Sequence, residues 1–148
     1  MSRLKPFTSV ISLSFALILS AHPFQPISTS TAKSEVSHRY SLKDGSYCFV
    51  HESHGDHPAQ QVWFFVPGGA ISPERAKQIA LRLVGKHILQ YPAKLLTTAI
   101  NEFQPSKAKS PDHWQIEVQD SMFTECSVNI DWQGGSTIIY ILVAAVPL

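Results

Sequence analysis

The chain has 148 residues, of which 44% are hydrophobic and 10% aromatic. This length and composition suit one domain with one core. Its 12 Lys and Arg residues against 11 Asp and Glu residues give a formal net charge of +1, so binding of nucleic acid through a basic surface is not expected.

The first 21 residues have the pattern of a signal peptide. Arg3 and Lys5 give a positive start, an apolar run follows from Val10 to Leu19, and Ala21 supplies a small residue at the cleavage position. The run is too short for a membrane-spanning helix, which needs about 20 residues, so no stable membrane anchor is expected after cleavage. We expect a secreted or periplasmic protein that begins at His22.

An amino-terminal histidine is the first of two features that indicate a metal. His22 would carry a free amine beside its imidazole, a chelate that resembles the copper-binding start of lytic polysaccharide monooxygenases and of some periplasmic copper carriers. Residues 22–38 are otherwise rich in Ser, Thr and Pro and are expected to form a flexible leader. We expect a single folded domain over residues 39–148.

Two β-branched and aromatic runs, SYCFVHE and QQVWFFV, predict a hairpin whose loop is the segment HESHGDHP. This loop is the second feature that indicates a metal, because imidazole nitrogens suit Zn and Cu. The candidate ligands are His51, His54 and His57, together with Glu52 or Asp56. A solvated loop explains the same residues. No cofactor is therefore expected, and binding of Cu or Zn is the alternative.

The chain has two cysteines, Cys48 and Cys126. In an oxidising exported compartment an even pair predicts a disulfide. The bridge would close a loop of 78 residues and stabilise the fold by about 4.5 kcal/mol in the chain-entropy treatment. It would join the first predicted strand to the penultimate one.

The clearest local signal follows VWFFVPGG and predicts a helix. Ser72 can cap the helix, Pro73 suits its first position, and the apolar spacing continues to about Leu89. Pro92 interrupts it, and a second, shorter helix is predicted from Ala93 to Phe103.

The polar face of the first helix carries a basic stripe. Arg75, Arg82 and Lys86 project opposite the apolar side and form a candidate partner-binding surface, although a solvated helix face explains the same pattern. The segment ISPERAKQIALRLVGK resembles the first helix of PepSY-type domains, which are small exported α+β modules associated with inhibiting or chaperoning proteases. That resemblance covers about 16 of 148 residues and implies a binding or inhibitory module.

Three further strands are predicted from HWQIEVQ, SVNID and STIIYILVAAV. The last is a continuous β-branched run, typical of a central strand buried on both faces, and Gln133-Gly134-Gly135 before it predicts a hairpin turn. The order of the elements predicts an α+β fold: an antiparallel sheet of about five strands with one long and one short helix packed on one face.

No GxSxG or HExxH motif occurs, and the sequence does not place a nucleophile, a base and an orienting group in one recognisable pattern. An enzyme is therefore less expected than a binding protein. We expect an exported, disulfide-stabilised module that binds another macromolecule, a protein rather than a small molecule, as an inhibitor or immunity-type factor. The alternative is a secreted or periplasmic Cu- or Zn-binding protein that uses the histidine loop.

Overall fold

The computed structural model describes residues 28–32 and 35–147. The strands of one antiparallel sheet are β1 (Ser28–Ala32), β2 (Glu35–Ser41), β3 (Tyr47–Ser53), β4 (Ala59–Val66), β5 (His113–Glu117), β6 (Phe123–Gln133) and β7 (Ser136–Ala145). Between β4 and β5 the chain forms α1 (Pro73–His87), α2 (Gln90–Glu102) and a single 3-10 turn at Pro105–Lys107. The order across the sheet is β1-β2-β3-β4-β7-β6-β5. The α+β class and the antiparallel sheet are confirmed, with seven strands instead of about five.

Two strands precede Tyr47, where the first strand was expected. Both β1 and the start of β2 fall in the segment that the sequence predicts to be a flexible leader. This segment forms strands because it pairs with the sheet: β2 pairs with β3 over its whole length, from Glu35 opposite Ser53 to Ser41 opposite Tyr47. The predicted signal peptide and His22 lie outside the described residues.

The first helix begins as the capping chemistry requires. Ser72 accepts a hydrogen bond from the backbone N–H of Arg75, and Pro73 occupies the first position of α1, as predicted. The second helix is longer than predicted, since α2 begins at Gln90 and has 13 residues against 15 in α1. Pro92 lies in the first turn of α2, where a missing N–H costs no intrahelical bond. It therefore belongs to the start of α2 and does not interrupt α1, which ends at His87.

Both helices pack on the same face of the sheet. One row of buried side chains crosses five strands on this face, and Leu83 of α1 with Leu96 and Ile100 of α2 completes the core above it. The row consists of Val50, Val62, Ile141, Val128 and Ile116. Neither helix in the described part of the chain has the length and hydropathy of a membrane-spanning segment.

The predicted disulfide is wrong, and the topology gives the reason. Cys48 is in β3 and Cys126 is in β6, with β4 and β7 between them, so about 14 Å separates the two strand axes. Measured along β4, Cys48 is level with Phe64 and Cys126 is level with Gln60. A disulfide needs Cα atoms within about 7 Å. Both cysteines are buried free thiols, and burial raises the pKa of Cys48 to about 12 and that of Cys126 to about 11.

The final strand is central, as predicted, but it is buried on one face only. Thr137, Ile139 and Ile141 of β7 face the helices and are buried, whereas Ile138 and Tyr140 alternate with them and are half-buried. The turn into this strand is the predicted one: Gly134 and Gly135 have positive φ values of 53° and 78°, which a two-residue hairpin of this kind requires.

Candidate functional site

The second face of the sheet, which we call the open face, is covered by neither α1 nor α2. Because side chains alternate along a strand, the residues between the core positions of β3, β4 and β7 point to this face. Seven of them are large and apolar or aromatic: Tyr47, Phe49, Trp63, Phe65, Ile138, Tyr140 and Leu142. Trp63 is 42% exposed and Tyr47 is 37% exposed. The open face therefore presents aromatic surface to solvent at the centre of the sheet.

The aromatic side chains are held in two rows by the strand register. Phe49, Trp63 and Tyr140 lie side by side in one row, and the ring centroids of Trp63 and Tyr140 are 4.0 Å apart. In the next row the rings of Tyr47 and Phe65 are 5.3 Å apart. Between the rows lies a groove of about 340 Å³, which we call the aromatic groove; its lining residues are Arg39, Tyr47, Phe49, Trp63, Phe64, Phe65 and Ile138.

Arg39 supplies the one formal charge among the residues that line the aromatic groove. It lies in β2 directly opposite Phe49, and its guanidinium carbon is 5.3 Å from the centroid of the Tyr47 ring. A guanidinium over an aromatic face is stabilised there by the ring quadrupole and presents donors in a planar fork. The groove therefore combines apolar walls with a cation at its β2 end.

The other half of the open face is polar. Here β6 and β5 place Asp131, Asn129, His113 and Glu117 beside the aromatic rows. His113 donates from Nδ1 to Asp131 across 2.5 Å, and Glu117 accepts a hydrogen bond from the side chain of Gln115. Charged side chains on the open face therefore include Arg39 and Glu35 on β2 as well as the carboxylates on β6 and β5.

The predicted metal ligands do not converge. His51 lies within β3 and not in the loop, and its ring bonds Ser37 and Glu35 on β2. His54 is 3.8 Å from Glu52. His57 and Asp56 are exposed in the turn. Across residues 35–147, no three His, Cys, Asp or Glu side chains are grouped so that they could hold a metal ion.

The basic stripe of α1 lies apart from the aromatic groove. Arg75, Arg82 and Lys86 are exposed on the helix layer, on the other side of the sheet from the open face. The pKa of Asp44 is lowered mainly by the hydrogen bond that its carboxylate accepts from the backbone N–H of Ser46. The positive charge of Arg75 lowers this pKa to a smaller extent.

No family model, curated protein or solved structure matches this chain.

Sequence reasoning missed the aromatic groove, although the signal was present. The strands β3, β4 and β7 carry large apolar residues at both odd and even positions, as in YCFV and VWFFV, where a strand with one solvated face would alternate. For the last run, which forms β7, the sequence predicts burial on both faces, and for β3 and β4 it predicts only the two strands of a hairpin. Two helices, however, cover only one face of a seven-stranded sheet, so the second apolar set is left in the groove.

Proposed function

We propose that this protein is a binding module that takes an apolar segment of a protein partner in its aromatic groove, with a carboxylate of that segment against Arg39. The observation that carries the proposal is the groove itself: aromatic walls on a face that neither described helix covers, with a single guanidinium at one end. Contiguous exposed apolar surface of this kind marks interaction sites in soluble proteins.

The residue types support a protein partner. Trp, Tyr and Arg are the side chains that contribute most of the binding energy at protein interfaces, and Trp63, Tyr47 and Arg39 occupy this groove. Their rings already rest on one another, since Trp63 contacts Tyr140 and Tyr47 contacts Phe65. Binding therefore orders few free side chains, which reduces its entropic cost.

The charge distribution indicates the orientation of the partner. A carboxylate is attracted to Arg39 on β2, and it is repelled by Glu35, four residues before Arg39 on the same face, and by Asp131 and Glu117 on the far side. An acidic residue next to large apolar residues fits this arrangement. We propose that the binding takes place in a secreted or periplasmic setting, on the basis of the signal-peptide pattern in residues 1–21, and that its role is inhibitory or immunity-like.

Selection of a random peptide library on the immobilised full chain tests the proposal. We expect enriched peptides to combine large apolar residues with Asp or Glu, and Trp63→Ser to abolish the enrichment. Arg39→Gln should weaken binding of a selected peptide about tenfold, which corresponds to about 1.4 kcal/mol, and should leave unchanged the binding of the same peptide with its acid replaced by an amide.

Tyr91 provides the matched control. It is an aromatic residue of similar exposure, 47% against 42% for Trp63, but it lies in α2, where it donates a hydrogen bond to Asp120. Tyr91→Ser should leave the selected peptides unchanged. Enrichment that survives Trp63→Ser, or that Tyr91→Ser removes equally, would show that the groove is not the binding surface.

A further inference from the structure

We infer that Ser37, His51 and Glu35 form a nucleophilic site that accepts an acyl group from a small aryl ester. This activity goes beyond binding in the aromatic groove and does not depend on it. The three side chains come from two neighbouring strands, Glu35 and Ser37 from β2 and His51 from β3, and they lie on the open face.

The three groups form a continuous hydrogen-bonded chain. Ser37 Oγ is 2.7 Å from Nδ1 of His51, and Nε2 of the same ring is 3.1 Å from Oε1 of Glu35. Ser37 and His51 are direct partners in the β2–β3 ladder, and Glu35 is two residues before Ser37 and therefore on the same face. The Phe49 ring lies nearly parallel to the imidazole, with an angle of 7° between the ring planes and 6.3 Å between their centroids.

This arrangement has the elements of an activated nucleophile: a hydroxyl, a base within hydrogen-bond reach and a third group that orients the base. With the proton of the neutral ring on Nε2, that nitrogen donates to Glu35, and Nδ1 accepts from the Ser37 hydroxyl. Nδ1 therefore faces the serine here, and Nε2 faces the carboxylate. Both hydrogen bonds are satisfied in this tautomer, because each contact then has one donor and one acceptor.

Solvent exposure decreases from the Glu35 carboxylate through the His51 ring to the Ser37 hydroxyl. The side chain of Glu35 is 53% exposed, that of His51 is 24% exposed, and Ser37 as a residue is 8% exposed. The serine is thus sheltered from bulk water. Arg39 follows Ser37 by two residues on the same face, so its positive charge lies on the side of the site that borders the aromatic groove. An aryl leaving group can pack there against Phe49.

The reaction balances with the groups present. Ser37 Oγ forms a bond to the carbonyl carbon of the ester while its proton passes to Nδ1 of His51. The bond between the carbonyl carbon and the aryl oxygen then breaks, and the departing phenolate takes that proton to leave as a phenol. Ser37 carries the acyl group as an ester. Water can later remove the acyl group as the carboxylic acid, with His51 as the base for a second time.

The test uses the full chain with p-nitrophenyl acetate as the probe. We expect a burst of nitrophenol no larger than one equivalent of protein, and peptide mass mapping should find one acetyl group on Ser37. Ser37→Ala should remove the burst and the acetyl mark. His51→Gln should slow acylation at least about 100-fold, the loss typical of a removed general base. Glu35 is a positioning residue, so Glu35→Gln should slow acylation and Glu35→Asp should recover part of the rate.

Ser41 is the matched control, because it lies on β2, on the same face as Ser37, and is exposed. Ser41→Ala should leave the burst unchanged. Acetylation of Ser41 or of lysines at the same rate as Ser37 would overturn the proposal, as would a folded wild-type chain that shows no acetyl group on Ser37. Because the mark is mapped on the wild type, the result does not depend on the folding of Ser37→Ala. Ser37→Ala should still select the same peptides, so acylation and groove binding can fail separately.

Discussion

The side-chain amide of Gln60 donates a hydrogen bond to the backbone carbonyl of His87 at the last residue of α1, with 3.2 Å between the two atoms. The oxygen of the same amide accepts from the backbone N–H of Leu89, at 3.1 Å. Gln60 is 9% exposed and lies in β4, so one buried side chain ties the centre of the sheet to the junction of the two helices. The amide satisfies one carbonyl and one N–H that the break between α1 and α2 leaves outside the helical pattern.

Replacement of Gln60 by Leu should lower the free energy of unfolding by about 2 kcal/mol. The variant loses two hydrogen bonds worth about 1 kcal/mol each and leaves buried backbone groups without their side-chain partner. Urea unfolding measures the change. Gln61→Leu is the control, since Gln61 is the next residue and points to the open face, and it should change stability by no more than about 0.5 kcal/mol. Equal losses in the two variants would contradict the role of Gln60.

His87 should make the fold less stable in mild acid. Burial is the main reason that its pKa falls from 6.5 to about 4, and the nearby charges of Lys86 and His38 lower it further. Between these two pH values the unfolded chain binds a proton that the folded chain does not, so stability is lost as the pH falls below about 6.5. The loss attributable to His87 should reach about 2 kcal/mol between pH 7 and pH 5.

Urea unfolding of the wild type and of His87→Phe at both pH values measures that loss. The phenyl ring can occupy the same position beside Tyr40, whose ring centroid is 5.4 Å from that of His87, but it cannot take up a proton. The difference in stability between pH 7 and pH 5 should therefore be smaller in the variant. An identical loss in both proteins would mean that His87 is not the group responsible.

The two thiols should remain reduced and unreactive in the folded protein. Burial raises the pKa of both, and the thiolate that reacts with thiol reagents is therefore scarce at neutral pH. A colorimetric thiol reagent should detect two thiols in urea and close to none in the native state. A reducing agent should leave the unfolding midpoint unchanged, whereas a native disulfide would make the midpoint fall.

Trp114 in the core should contribute more to the stability of the fold than Trp63 on the open face. Trp114 is 2% exposed and meets Trp132 edge-on, with 4.9 Å between their centroids, so Trp114→Ala should cost about 3–5 kcal/mol of stability. Trp63 is 42% exposed and rests on Tyr140, and Trp63→Ala should cost no more than about 1.5 kcal/mol. Thermal unfolding of both variants provides the comparison, and a larger loss at Trp63 would assign the groove to stability instead of binding.

Local features were predictable because neighbouring residues determine them. The cap at Ser72 and the glycine turn at Gly134 and Gly135 need only a few adjacent residues, and both were found as expected. The α2 boundary was misjudged because Pro92 is compatible with either the end of one helix or the first turn of the next. In the fold, the side chain of Gln60 bonds the backbone on either side of the break, a contact between residues far apart in the chain.

The sequence by itself determined the α+β class, the antiparallel strands, the cap of α1 and the glycine turn before β7, because side-chain periodicity and backbone preferences act over short distances. Tertiary structure alone decided what the separate segments form together. The insertion of β4 and β7 between β3 and β6 keeps Cys48 and Cys126 apart. The pairing of β2 with β3 brings His51 to Ser37 and Glu35 and away from the other loop histidines. These outcomes depend on strand order and register, which are set by contacts between residues far apart in the chain.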